Sequence, residues 1–498
     1  MATAYEDLME RVRDIGRLQT SLALLDWDQE TYMPPNGVKA RAEQIALLSG
    51  IRHTQLIDPQ VKRLLDEAQT DEDDHVARTN VRETRRNYER AAKLPTQLVK
   101  DLAHTSTLAK DAWAKARAQS DFSIFSPLLS RLLELTRQKA EHIGYSAEPY
   151  DALIDEFEPG ATSAQIEGVF ARLRDETVRF LKRLTDSSTK PDRSILTRHY
   201  PEQQQRALSR KFAEALNFDF ESGRLDVTVH PFCTTIGGGG DVRITTRYLE
   251  DFFQAAMFGT MHETGHALYE QGLPREHMFT PMGEAVSLGI HESQSLMWEN
   301  QVGRSRAFWE HHFDEAARLF PKALGDVSLD AFYGAINTVE PSFIRVEADE
   351  LTYNLHVILR FEIERELFNG QLEVDDIPQR WNVKMEDLLG ITPPDDAQGC
   401  LQDIHWSMGA FGYFATYALG KLYAAQFFAK AKEDIPDLFD RIRANDHKPL
   451  LNWLRENIHR HGQRFRAGEL VERVTGKPLT IEPFMSYVKN KFAPIYGL

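Results

Sequence analysis

The sequence predicts a mainly α-helical protein carrying one small β-sheet. Apolar residues recur at three- and four-residue spacing over most of the 498 residues, the signature of amphipathic helices. Strict alternation of apolar and polar residues marks instead one short stretch between Gly223 and Arg247. A composition of 42% hydrophobic and 27% charged residues is that of an ordinary globular chain.

The helical spacing predicts helices over 5–25, 40–49, 76–92, 97–119 and 126–143, broken at Pro95 and at Gly144-Tyr145-Ser146. It resumes over 163–185, with Thr162 or Ser163 placed to cap the first turn. Ser187-Ser188-Thr189-Lys190-Pro191 reads as a loop before helix at 201–216. Residues 224–230 and 241–246 then alternate with period two around the glycines 237–240, which reads as a β-hairpin over 224–247. Helix returns at Leu249 and continues to the end. The chain is read as one catalytic unit over 1–498, with a helical half at 1–222 and a metal-binding half at 223–498.

Charge and composition exclude several roles. A net charge of −16 argues against a nucleic-acid partner, because phosphate binding needs clustered Lys and Arg. No run approaches the roughly 18 apolar residues of a membrane span. The first 19 residues lack the apolar core of a secretory signal. Cys233 and Cys400 alone make no disulfide framework, so a cytoplasmic location is expected.

Chemistry concentrates at Met261-His262-Glu263-Thr264-Gly265-His266, an H-E-x-x-H motif within a helical pattern. Four-residue spacing sets both imidazoles on one face, one turn apart, where they can share an ion. Glu263 beside them can accept a proton from a water that the ion activates. Two histidines and a glutamate on a helix flanked by Phe252, Ala256, Met257 and Leu268 have no structural reason to be buried without a metal. A catalytic zinc usually takes three protein ligands. The third must come from downstream, where Glu284, His291, Glu292 and Glu299 are candidates on a helix predicted to start near Gly283.

The motif, followed by His291-Glu292-Ser293-Gln294-Ser295, resembles the Taq-type thermostable carboxypeptidases, a family of zincin metallocarboxypeptidases. Further blocks of that family occur in order: His230-Pro231-Phe232, Asp241-Val242-Arg243-Ile244-Thr245, Ile344-Arg345-Val346-Glu347-Ala348-Asp349 and Gly399-Cys400-Leu401-Gln402-Asp403-Ile404-His405-Trp406. Leu25-Asp26-Trp27-Asp28 extends the likeness toward the N-terminus. The resemblance implies a large helical gluzincin-type fold with a deep active-site groove, and places the third ligand at Glu292. It also implies one zinc ion per chain with cobalt tolerated, peptide substrates with a free C-terminal carboxylate, and a homodimer.

The remaining blocks admit both plain and functional readings. Asp241, Arg243 and Thr245 share one face of a strand and can simply form an ion pair that stiffens it. As an edge strand they could hold an extended peptide, and the resemblance implies that this block, near His230, limits the groove to chain ends. Arg345 and Asp349, four apart on an expected helix, can pair with each other. A terminal carboxylate, however, is best met by a guanidinium, and the resemblance gives Arg345 that role with Asp349 orienting it. His405 is either a packed core residue or a donor to an oxyanion, a role that Tyr413 or Tyr417 can also fill. The rival functions are an endo-acting zincin oligopeptidase and a non-catalytic peptide-binding protein with a structural metal.

Overall fold

Helices form where the periodicity places them. Ala4–Thr31 is closed at its start by a capping box in which Thr3 and Glu6 exchange side-chain and backbone hydrogen bonds. Ser163–Asp186 is closed the same way by Thr162 and Gln165. His75–Ala92, Thr96–Gln119, Ser126–Ile143 and Glu202–Ala215 follow with ends shifted by a few residues, and the helix expected at 40–49 runs longer, over Val38–Leu56. The computed structural model describes residues 3–498, a dominantly helical chain with one three-stranded sheet. Among the described residues, no helix is long and apolar enough to cross a membrane.

The chain divides into two units. One gathers residues 1–92, 192–336 and 423–478; the other gathers 93–191, 337–422 and 479–498. This division is not the cut at residue 222 that the change of pattern suggests, because each unit draws segments from both sides of it.

In the first unit the alternating segment departs from expectation. Gly223–Val227 (β1) and Val242–Thr246 (β3) are strands, but they pair in parallel, with Arg224 opposite Arg243. The hairpin partner of β3 is a third strand, Cys233–Thr235 (β2), running antiparallel to it. The sheet order is β1-β3-β2. Alternation reports a pleated strand but not the direction of its neighbour, so sequence could not separate these pairings. The glycine run serves the β2–β3 turn, where Gly238 adopts φ +57°. β3 is therefore central. Its backbone is already paired on both sides, which corrects the expectation of an edge strand able to receive a peptide.

Both faces of this sheet are covered within the unit. Val242 and Ile244 are fully buried and pack with Ala213, Phe218 and Ala267, the last belonging to the Phe253–Gly272 helix. On the other face Arg243 lies 4.1 Å from the ring of Trp27 and Arg224 5.1 Å from it. The Leu25-Asp26-Trp27-Asp28 stretch thus backs the sheet, with Asp28 held by Arg41 at 2.6 Å.

The Phe253–Gly272 helix is buried nearly all round, as a helix with apolar residues on every side should be. The next helix, Leu288–Leu296, starts later than expected, because Ser287 and not Gly283 caps its first turn. It continues into a π-helical segment, Met297–Gly303. The two helices touch through Gly265: a Cβ there would stand 2.6 Å from Ser295 Cα and 2.7 Å from the Gln294 carbonyl. That approach sets the spacing between His262 and His266 on one helix and Glu292 on the other. Gly265→Ala should therefore cost about 1–3 kcal/mol of stability and weaken metal retention together, as read from thermal melting and metal content. Loss of neither would mean that the helix spacing is set elsewhere.

Candidate functional site

His262 and His266 project from the buried helix toward Glu292. Their Nε2 atoms lie 3.7 and 3.4 Å from the two carboxylate oxygens of Glu292. One ligand atom from each of the three residues falls within 4.8 Å of the others. A tetrahedral ion with bonds of about 2.0–2.1 Å needs donor atoms roughly 3.4 Å apart, so two imidazoles and a carboxylate at this spacing fit a zinc-type ion. The surrounding charge agrees. Glu263 is buried, and the largely enclosed Glu270, Glu292 and Glu299 stand close to these rings, a concentration of negative charge that favours a cation.

The two imidazole rings are themselves held. Glu299 meets Nδ1 of His262 at 3.0 Å, which leaves Nε2 free to face Glu292. The π-helical turn carries Glu299 into that position, and Arg304 steadies its other oxygen at 3.2 Å. Burial opposes charge on His262, but Glu292, Glu299 and Glu263 outweigh it and raise the ring to about 10 in the absence of an ion. On His266 burial dominates and lowers it to about 4. Burial foremost, with Glu292 and Glu299 adding to it against the pull of His262, lifts Glu263 to about 7.

The second unit holds a cluster of opposite sign. Arg345 is 5% exposed and donates through Nε and Nη2 to Asp403 at 3.1 and 2.8 Å, and through Nη1 to the Tyr353 hydroxyl at 2.5 Å. Arg360, fully buried, donates from Nε to the other Asp403 oxygen at 2.7 Å. Two guanidiniums share one carboxylate, so the cluster keeps an excess positive charge. The Asp403 carboxyl lies far below its usual range, since the two arginines overcome the opposing effect of burial. His405, lowered to about 4 chiefly by burial, stays neutral near pH 7. Its ring packs 5.2 Å from Tyr413, which packs 5.4 Å from Tyr417, and the Arg345 guanidinium stands 5.1 Å from the Tyr417 ring.

A family model described as carboxypeptidase Taq (M32) metallopeptidase matches residues 7–492. The chain belongs to that family. A thermostable carboxypeptidase 1 of Thermus thermophilus is 46% identical over 99% of both chains, and carboxypeptidase 1 of Bacillus subtilis is 42% identical over 100% of this chain and 99% of its own. The crystal structure of an M32 carboxypeptidase from Deinococcus radiodurans superposes with a TM-score of 0.96 at 40% identity, covering all of both chains. This M32 member is a metallocarboxypeptidase that releases C-terminal residues, and not the endo-acting or non-catalytic alternative.

Within this carboxypeptidase, each residue singled out from sequence now has a place. His262, Glu263, His266 and Glu292 come together in one unit; Arg345, His405, Tyr413 and Tyr417 come together in the other. Asp349 does not orient Arg345. The chain is extended at Ala348 after a single 3-10 turn, so the expected helical pairing at four residues does not form. Asp349 instead accepts from the amides of Glu340, Leu351 and Thr352 and from the Thr352 hydroxyl. The true partner, Asp403, lies 58 residues away in another block. Asp241 does grip Arg243 through two contacts of 2.9 and 2.8 Å. Thr245 is spent on the backbone N–H and carbonyl of Phe232, while His230 is exposed in the β1–β2 connection.

Sequence reasoning missed Tyr353, Arg360 and Glu364. They recur at seven and then four residues along Tyr353–Phe368, so one stripe serves the whole 402–412 segment. Tyr353 meets Arg345, Arg360 meets Asp403, and Glu364 accepts from the Trp406 indole and the Gly412 amide at 2.7 and 2.8 Å. That spacing was legible, but nothing in it names the partner. Chelation should remove one metal per chain with loss of activity and little loss of helical content. His262→Ala, His266→Ala and Glu292→Ala should each reduce metal retained through gel filtration. Full occupancy in Glu292→Ala would remove it as the third ligand.

Proposed function

We propose that His262, His266 and Glu292 hold one zinc ion per chain, that Glu263 is the general base, and that Arg345 receives the terminal carboxylate of the peptide. The donor geometry carries this reading: two oriented imidazoles and one carboxylate leave a fourth position open, as catalytic zinc sites do, and the family resemblance adds tolerance of cobalt. When bound, such an ion supplies Lewis-acid polarisation of the scissile carbonyl and lowers the pKa of the attacking water toward neutrality.

Glu263, buried on the motif helix beside His262 and close to Glu292, is the group that accepts a proton and returns it to the leaving amine. Neutral His405, with Tyr413 packed against it and Tyr417 beyond, offers a donor to the developing oxyanion. The buried excess positive charge around Arg345 and Arg360 favours an anionic group, which a free C-terminus provides. The family resemblance gives the block of Asp241, Arg243 and Thr245, with His230 nearby, the task of limiting substrates to chain ends, and the Asp241–Arg243 pair is the part of it that keeps charged groups available. Homodimerisation and a cytoplasmic location rest on the family resemblance and on the two free cysteines.

Glu263→Gln keeps the size of the side chain but cannot take the proton. It should retain metal and substrate binding while kcat falls roughly 100-fold or more. Near-normal turnover with intact metal would exclude Glu263 as the base.

The anchor is tested from both sides of the contact. Losing the partner of a buried carboxylate costs about 2–5 kcal/mol, or roughly 30- to several-thousand-fold in kcat/KM. Wild type should discriminate strongly against a C-terminally amidated peptide, and Arg345→Met should hardly discriminate, with metal content unchanged. Discrimination that survives in Arg345→Met would move the anchor to another group, with Arg243 the next to test.

A further inference from the structure

The two histidine ligands are held in different ways. His262 rests directly on a carboxylate, that of Glu299. His266 rests on another imidazole: its Nδ1 lies 2.6 Å from Nδ1 of His291. His291 in turn places Nε2 at 2.8 Å from Oε1 of Glu270, and the second Glu270 oxygen accepts from the Thr235 hydroxyl at 2.7 Å. Every polar atom along this line is engaged, and the line runs from β2 of the sheet to the ligand ring.

Direction follows from the chemistry of the two ends. A carboxylate only accepts, so His291 must donate from Nε2. A neutral imidazole with its proton on Nε2 offers a lone pair on Nδ1. His266 must then donate from its own Nδ1, which leaves the lone pair of His266 on Nε2, the atom that faces Glu292 at 3.4 Å. The opposite tautomer of His266 would point a proton at the ion. Glu270 sits four residues beyond His266 on the same helical face, with His291 wedged between them. The ring of His291 is backed by Tyr269 at 5.2 Å, whose hydroxyl accepts from the Val286 amide.

We propose that Thr235, Glu270 and His291 form a hydrogen-bond relay that fixes the tautomer and ring orientation of His266 for metal binding. They are positioning residues, and His291 is not itself a ligand, because both its nitrogens are committed to the relay. The relay rests on the metal-site reading above. It also ties the sheet to the metal site, since β2 supplies the hydroxyl that closes the chain of contacts on the side away from the ion.

The test is zinc affinity of the full chain, measured by competition with a chromophoric chelator after metal removal. If wild type takes up no zinc, the metal-site reading itself fails. With wild type binding zinc, Glu270→Ala and His291→Phe should each weaken it roughly 10- to 100-fold, and Glu270→Gln and Thr235→Val less. Apo-protein melting and circular dichroism should stay close to wild type, which a merely structural role would not allow.

Groups acting in series through one contact are non-additive. Glu270→Ala should therefore add little in the His291→Phe background, whereas Glu299→Ala, acting on His262, should multiply its effect with either. An undiminished effect of Glu270→Ala without His291 would mean that Glu270 acts by charge alone, and would overturn the relay. X-ray absorption of the zinc-loaded protein should count two imidazoles; three would make His291 a ligand and overturn it equally.

Discussion

Carboxylates buried among imidazoles need a compensating cation, and much of the first unit is arranged around that requirement. Glu263, Glu292, Glu299 and Glu270 gather where the 253–272 and 288–296 helices approach through Gly265. Without the glycine the backbones could not come close enough for Glu292 to stand 3.4 and 3.7 Å from two histidines on the facing helix. Desolvated like charges at this distance repel, and a cation held by the proposed ligands would offset that repulsion.

The second unit meets the opposite problem. Arg345 and Arg360 bury two positive charges against the single negative charge of Asp403. Part of the imbalance is absorbed by aromatic faces, since Tyr353, Tyr417 and Phe414 surround the Arg345 guanidinium at 5.1 to 5.6 Å. The remainder makes the cluster receptive to an anion. Gln402 ties the Arg345 amide to the 398–402 segment and so fixes the backbone beside this cluster.

The sheet is small for its influence. Three short strands carry Arg243 toward Trp27 on one face and Val242 and Ile244 toward the metal-motif helix on the other. Thr235 at its edge reaches Glu270. The sheet is thus joined to the N-terminal helix on one face and, through Glu270 and His291, to the ring of His266.

Helix positions, the H-E-x-x-H motif and the order of the family blocks were all legible in the chain, because they depend on spacing along it. Periodicity of 3.6 and a four-residue interval between ligands are local properties that any helix expresses. What tertiary structure alone decided was partnership across distance. Asp403 replaced Asp349 as the companion of Arg345, because the chain extends at Ala348 and turns the nearer carboxylate onto backbone amides. The β1 and β3 strands run parallel while β2 pairs antiparallel with β3, a choice that alternation does not encode. Glu299 reaches His262 through a π-helical turn, and Glu270 reaches His266 through His291. Each of these joins residues that are distant in the chain or offset from ideal helical geometry, and only packing brings them within a hydrogen bond.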